Sequence, residues 1–152
     1  GNLTERLSGQ IGASFMKSKV RKSLVDPASV GRRVSNFANT SVDAQLRWQA
    51  SERLALGGSV TYKSAMYGGQ PDTAAAYVTD PASAFFGQYS IRIPAYTSFG
   101  AFVSFKINDQ LTARVNAVNL TDKRYYTAAY RSGSFAYLGD GRTVRVTLSG
   151  KF

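Results

Sequence analysis

The chain has 152 residues, of which 43% are hydrophobic and 18% charged, and 19 Lys and Arg against 9 Asp and Glu leave a formal charge of +10. It contains no Cys and no His, which excludes disulfides, Cys/His metal sites and His-dependent catalytic triads. The longest uninterrupted apolar run, 74–78, is far shorter than the roughly 20 residues of a membrane-spanning helix. Plentiful Gly, Tyr and Phe with only two Glu indicate an all-β protein.

Six segments alternate between apolar and polar residues, the pattern of a strand with one apolar face. In chain order they cover 7–15, 41–50, 54–63, 98–107, 111–118 and 143–152. In the second segment every even position from Val42 to Ala50 is apolar and every odd position is polar. Phe102 is the one apolar residue on the polar face of its segment. The alternation is lost at Val118, where the pattern predicts a β-bulge.

The links between these segments are short and long in turn. Residues 51–53 and 108–110 predict tight turns, whereas the longer links 16–40, 64–97 and 119–142 join the other pairs. Long strands with tight turns at one edge and long loops at the other are typical of an antiparallel transmembrane β-barrel. A soluble β-sandwich is the alternative, but its strands are usually about 5–6 residues long and its links are not sorted by length.

Aromatic residues of the apolar face fall at both ends of the predicted strands. They are Trp48, Phe105 and Phe152 at the tight-turn end, and Phe15, Tyr62 and Phe99 at the loop end. Two such rings are expected at the two membrane interfaces of a barrel, although aromatic residues also favour strands in general. Since eight strands is the practical minimum for a membrane barrel, further strands are expected outside this chain, which is read as a piece of a longer protein.

The run NLTDKRYY at 119–126, followed by GRTV at 141–144 and a final Phe152, resembles the C-terminal signature of TonB-dependent outer-membrane receptors. IPAY at 93–96 and GRRV at 31–34 are similar to the siderophore branch of that family, most of all to its catecholate type. The resemblance implies that 1–152 forms the last six strands of a barrel of about 22 strands. The family's plug domain and its TonB-binding segment have no counterpart in this chain.

The function implied by the resemblance is energised uptake of a ferric siderophore, with TonB as energy-transducing partner and lipid and lipopolysaccharide around the wall. No cofactor or metal site is implied, because iron enters only within the ligand, and Phe152 resembles the family's membrane assembly signal. A passive pore, an adhesin-type barrel and a receptor for another nutrient remain alternatives. No paired acid and base residues suggest an enzyme, and the dispersed basic residues argue against nucleic-acid binding.

Two long loops, 64–96 and 127–142, carry the aromatic and basic residues that would capture a bulky anionic ligand. The candidate ligand-binding residues are Tyr77, Phe85, Phe86, Tyr89, Arg92, Tyr130, Arg131, Phe135, Tyr137 and Arg142. Asn119 and Asp122 are expected to hydrogen-bond local backbone where the strand pattern breaks. Lys123 and Arg124 predict a basic rim, which suits lipopolysaccharide phosphates, an anionic ligand or simply solvent.

Overall fold

The computed structural model describes residues 1–24, 27–69, 80–83, 91–130 and 135–151. Within them the chain forms ten strands and one short 3-10 helix, Pro27–Ser29. The strands are β1 (Leu7–Phe15), β2 (Thr40–Gln49), β3 (Leu54–Lys63), β4 (Met66–Gly68), β5 (Ile91–Ile93), β6 (Tyr96–Lys106), β7 (Leu111–Val118), β8 (Tyr126–Tyr130), β9 (Phe135–Leu138) and β10 (Thr143–Gly150). In this part of the chain no helix is long and apolar enough to cross a membrane.

The six long strands form one antiparallel sheet in the order β1-β2-β3-β6-β7-β10, in which every strand pairs with the next long strand along the chain. These are the six segments that alternation predicts, and their bounds agree to within about two residues, the usual margin for strand ends. The predicted tight turns join β2 to β3 and β6 to β7 at one edge. At the opposite end lie three long connections, and the second and third of them contain the remaining four short strands, β4 with β5 and β8 with β9.

The pairing register collects the apolar side chains on one face of the sheet, as predicted. One row across it consists of Trp48, Leu56, Val103, Val115 and Val146. Leu148 lies on the same face, opposite Ala113. Val103, Val146 and Leu148 are 43%, 66% and 66% exposed, because none of the described residues forms a second sheet over them. This uncovered apolar face contradicts the sandwich alternative and fits a wall that faces lipid.

The predicted bulge at Val118 is wrong. Val118 is the last residue of β7 and pairs directly with Thr143, the first residue of β10. The alternation is lost there because the strand ends, so no extra residue is inserted into the ladder.

The described aromatic residues of the apolar face lie at the two ends that the sequence predicts. Trp48 pairs with Leu7 and Leu56, and Phe105 with Leu54, all next to the tight turns. At the loop end, Tyr62 pairs with Val42, Phe99 with Val60, and Phe15 with Thr40. Phe152, the third residue expected at the turn end, lies outside the described residues.

The opposite face of the sheet is polar and carries the misfit Phe102. Phe102 lies beside Gly57 of the neighbouring strand, where the missing Cβ leaves room for the ring. The Arg114 guanidinium stands 4.2 Å from the centre of that ring, and Arg114 Nε donates to Asn116 Oδ1 at 2.9 Å. A cation over an aromatic face is favourable, so the Arg114 guanidinium stabilises the Phe102 ring on this polar face. The apparent exception to alternation is thus a packing pair between a glycine and an aromatic ring.

Candidate functional site

A small apolar core lies at the loop end of the sheet, where the three long connections meet. It consists of the buried residues Met66, Ile93, Tyr96 and Ala129, with Ala38, Ile91 and Tyr125 packed against it. We call these residues the outer cluster. They come from β4, β5, β6, β8 and the loops before β2 and β8. The outer cluster therefore holds all three long connections together above the sheet.

Asn36 supplies the polar contacts of the outer cluster. Its Nδ2 donates to the carbonyl oxygen of Ala129 at 3.1 Å, and its Oδ1 accepts from the backbone N–H of Ala129 at 2.9 Å. Its own backbone N–H donates to the carbonyl oxygen of Tyr67 at 2.8 Å. Asn36 has a φ of +54°, a left-handed conformation that Asn adopts more readily than most residues. The side-chain amide thus pairs with Ala129 as a neighbouring strand would.

Gly68, in the connection between β3 and β6, allows that connection to approach Ala129 closely. A Cβ at Gly68 would lie 2.6 Å from Asn36 Oδ1 and 2.7 Å from the carbonyl oxygen of Ala129. The next residue, Gly69, donates its N–H to that same carbonyl oxygen at 3.1 Å. Any side chain at Gly68 would separate β4 from β8, so the contact requires glycine.

The NLTDKRYY motif forms the turn that leaves β7, and its asparagine is nearly inaccessible. Asn119 is 2% exposed and has a φ of +49°. Its Nδ2 donates to the carbonyl oxygens of Lys123 and Asp140, both at 2.9 Å, while its Oδ1 accepts from the Lys123 N–H at 3.0 Å. Asp122 Oδ1 accepts from the Arg142 N–H at 3.0 Å. These bonds confirm the predicted structural role of Asn119 and Asp122.

Tyrosine packing continues from this turn into the outer cluster. The rings of Tyr96 and Tyr125 are stacked, with centres 4.2 Å apart and planes 26° from parallel. Gly139 N–H donates to the carbonyl oxygen of Tyr125 at 2.8 Å, and a Cβ at Gly139 would overlap the Tyr125 ring. Tyr125 is therefore a packing residue. Lys123, Arg124 and Tyr126 are exposed, as expected for a rim.

The strands β8 and β9 form a hairpin that presents three aromatic side chains on one face. Tyr130 pairs directly with Phe135, and Tyr137 with Ala128, so the four side chains share a face. The rings of Tyr130 and Tyr137 meet edge to face with centres 5.4 Å apart. Phe135 and Tyr137 are 58% and 60% exposed, whereas Ala129, between Ala128 and Tyr130, is buried in the outer cluster. One face of the hairpin is anchored and the other is an accessible aromatic surface.

The polar face of the sheet is hollow beneath the outer cluster. This hollow has a volume of about 330 Å³ and is lined among others by Asp43, Thr61, Lys63, Tyr96 and Tyr125. Thr61 Oγ1 donates to Asp43 Oδ1 at 2.7 Å, which orients the carboxylate toward the next strand. Hydroxyl groups, one carboxylate and one ammonium group in this hollow can hydrogen-bond a polar molecule.

The structure brings together some of the candidate ligand-binding residues. Tyr130, Phe135 and Tyr137 share the hairpin face. Arg92 is exposed on β5 opposite Tyr67, and Arg142 is exposed beside the Asp122 turn. Five candidates lie outside the described residues: Tyr77, Phe85, Phe86, Tyr89 and Arg131.

Sequence reasoning missed Asn36 and Gly68, which hold the outer cluster together. Nothing in the local sequence distinguishes Asn36 from Asn39, because the partner Ala129 lies 93 positions away. No cluster of three or more potential ligand side chains of the His, Cys, Asp and Glu types occurs among the described residues.

The comparisons with known proteins cover the chain from end to end. It is 30% identical over 148 residues to the probable TonB-dependent receptor BfrD of Bordetella pertussis, an alignment that spans 97% of this chain and 19% of the relative. It is 20% identical over 161 aligned positions to the probable TonB-dependent siderophore receptor PiuA of Acinetobacter baumannii, covering 100% of this chain and 19% of that protein. No family model matches the sequence.

Among solved structures, the chain resembles the closed form of the ferric-catecholate import receptor Fiu from Escherichia coli K12. The TM-score is 0.73 at 20% identity, and the match covers 100% of this chain and 20% of that structure. The chain therefore spans about a fifth of the length of its relatives. The chain is similar to these receptors, and its sheet has the fold of about a fifth of the solved Fiu structure.

Proposed function

We propose that this segment of a TonB-dependent-receptor wall belongs to a protein that takes up a ferric siderophore across the bacterial outer membrane. The observation that carries the proposal is the accessible aromatic face of the β8–β9 hairpin, at the loop end of a chain that is similar over its whole length to a probable siderophore receptor. A ferric siderophore is bulky, polar and generally anionic, so its capture requires a wide contact surface with positive charge nearby.

In this proposal, aromatic and basic residues have different roles in ligand capture. Tyr130, Phe135 and Tyr137 supply flat surface against which the rings of a catecholate can stack. Arg92 and Arg142 are exposed and attract an anionic ligand from solution, an effect that salt weakens. The candidates in the undescribed parts of the loops, such as Arg131, have the same proposed roles.

Iron is cargo in this scheme. It arrives already held by the siderophore, so the segment needs no metal ligands and no cofactor of its own. The relatives are receptors, and we assign this segment no catalytic role.

The proposed partners follow from the two faces and the rim of the wall. Lipid contacts the apolar face, and lipopolysaccharide phosphates are paired by the exposed rim residues Lys123 and Arg124. The energy-transducing TonB complex acts through parts of the receptor outside this segment. Nucleic acid is not a proposed partner, because the cations are spread over the whole chain.

The test is uptake of radioactive ferric siderophore by iron-starved cells that carry the full-length receptor, with and without TonB. We expect uptake to require TonB. Uptake that continues without TonB would contradict energised transport and leave a passive pore. Replacing Arg92, Arg131 and Arg142 together by Gln should weaken binding at low salt and reduce its dependence on salt. Unchanged binding would refute the role of these cations in capture.

A further inference from the structure

We propose that Asn36 is a positioning residue that locks the three outer loops into one unit and thereby fixes the aromatic face of the β8–β9 hairpin. The lock consists of hydrogen bonds among described residues. Its consequence for ligand binding rests on the proposed function.

The contacts of Asn36 reach all three connections. Asn36 belongs to the first one, between β1 and β2, and its backbone N–H binds the carbonyl oxygen of Tyr67 in the second, between β3 and β6. Its side-chain amide binds both backbone polar groups of Ala129 in the third, between β7 and β10. Three stretches of chain that are distant in sequence therefore meet at one residue.

The chemistry of this contact requires a carboxamide. Ala129 presents one donor and one acceptor, and Asn offers the complementary acceptor and donor from a single planar group. An Asp at the same position would keep the acceptor but would place a carboxylate oxygen against the Ala129 carbonyl oxygen, where two acceptors repel each other. The left-handed backbone at Asn36 further restricts the residue types that fit without strain.

The free edge of β8 is closed by this arrangement. The carbonyl oxygen of Ala129 accepts from both Asn36 Nδ2 and the Gly69 N–H, and its N–H donates to Asn36 Oδ1. An edge strand whose polar groups were left unpaired would bind water or another strand instead. Asn36 and Gly69 therefore keep the β8–β9 hairpin in its position against β4.

The lock acts directly on the candidate binding surface. Ala129 is buried, and its neighbour Tyr130 is one of the three aromatic residues on the accessible face. Because Tyr130 pairs with Phe135 and packs against Tyr137, displacement of Ala129 would move the whole aromatic face.

The experiment compares Asn36→Asp with Asn39→Asp in the full-length receptor. The control makes the same chemical change three residues away in the same loop, where the side chain is not part of the lock. Spin labels at Arg33→Cys and Leu138→Cys, both exposed positions, report the distance between the first and third connections. We expect one narrow distance distribution in the parent and the control, and a broad one in Asn36→Asp. A narrow distribution in Asn36→Asp would overturn the proposal.

Ligand binding is measured on the same variants with the iron(III) complex of a tris-catecholate. If the hairpin spends about a tenth of its time in the competent position, the apparent Kd rises about tenfold. We expect this loss in Asn36→Asp and not in Asn39→Asp, with the same amount of heat-modifiable, assembled barrel in both. Equal affinities would refute the positioning role. A parent that binds no siderophore would refute the proposed function, while the distance measurement would still decide on the lock.

Hydrogen exchange in the unaltered receptor tests the lock without any variant. The Ala129 N–H is paired with a side chain, so its protection depends on the Asn36 contact. We expect this N–H to exchange as slowly as those of β8 that are paired with β9. Rapid exchange at Ala129 beside protected neighbours would overturn the proposal even if Asn36→Asp failed to assemble.

Discussion

Replacing Gly57 by Ala should strongly destabilise the wall, although it adds only one methyl group. A Cβ at Gly57 would overlap Phe102 Cε1 and would lie 2.5 Å from Phe102 Cζ, far inside contact distance. It would also lie 2.7 Å from the carbonyl oxygen of Leu46 on the adjacent strand. The ring can rotate away from the methyl group, but the carbonyl belongs to the β2–β3 ladder and cannot move without breaking the pairing.

The size of the effect follows from three contributions. Forcing an extra methyl group into a packed site typically costs about 1–3 kcal/mol of folding free energy. Displacing the Phe102 ring also removes the contact with the Arg114 guanidinium, which is worth about 0.5–1 kcal/mol at an accessible site. Alanine also has fewer conformations than glycine in the unfolded chain, which offsets the loss of stability by about 0.4–1 kcal/mol. The expected net loss is about 1–3 kcal/mol.

The assay is the urea or heat midpoint of the full-length receptor, followed by its heat-modifiable migration on gels. Gly58→Ala is the matched control, because a Cβ there would meet its nearest neighbour, the Gly100 carbonyl oxygen, at an ordinary 3.7 Å. The double variant Gly57→Ala/Phe102→Ala separates the ring clash from the backbone clash. Equal stability of Gly57→Ala and Gly58→Ala would refute the proposed packing of Phe102 on Gly57.

Three further changes test other parts of the wall and its turn. Asn119→Ala should destabilise the receptor by about 2–3 kcal/mol in the same unfolding assay, because it leaves nearly inaccessible backbone groups unpaired. A loss of stability smaller than that caused by replacing an exposed Asn with Ala would contradict this prediction. Val103→Lys should lower the free energy of unfolding by about 2–4 kcal/mol, because Val103 is assigned to the lipid face. Ser104→Lys should lower it much less, because Ser104 is assigned to the lumen, and equal losses would contradict this assignment of faces. Deleting Phe152 should lower the amount of assembled receptor in the outer membrane far more than Lys151→Ala, and equal yields would exclude Phe152 as an assembly signal.

The six long strands could be predicted from sequence because each of their residues faces one of two environments, an apolar one or a polar one. A strand between lipid and a polar interior must alternate, and segment 41–50 does so without an exception. The same cause makes a strand end visible as a loss of alternation, as at Val118. The sequence does not reveal whether such a loss is a bulge or an end. Only the pairing of Val118 with the first residue of β10 decides between them.

Phe102 shows a second limit of pattern reasoning. The alternation identifies it as an exception but gives no reason for it. The reason lies in Gly57, which is 45 positions earlier and becomes its neighbour only through the β3–β6 pairing. A glycine on one strand and an aromatic residue on the next form a unit that sequence periodicity alone does not detect.

The outer loops are governed by different physics. Of the non-glycine residues with positive φ among the described residues, Asn36, Asn119 and Asp122 all lie at the loop end and all bind backbone with their side chains. Asn119 and Asp122 could be predicted, because two Asx residues fall where the alternation stops. Asn36 could not, since no local pattern indicates a partner in another loop.

This difference has a consequence for how the receptor can vary. The apolar core of the outer cluster contains four buried residues, so much of what fixes the loops comes from a few hydrogen bonds to backbone rather than from a large hydrophobic core. Such bonds depend on the Asx side chain, on the backbone of its partner and on glycine at Gly68, but they do not involve the side chains of the hairpin's accessible face. Under the proposed function, residues on the accessible face of the hairpin can therefore change with the ligand while the Asn36 contacts and the wall remain the same. Substitutions at Tyr137, which is 60% exposed, should then alter ligand preference with little effect on stability, whereas substitutions at Asn36 should weaken the binding of every ligand that uses this face.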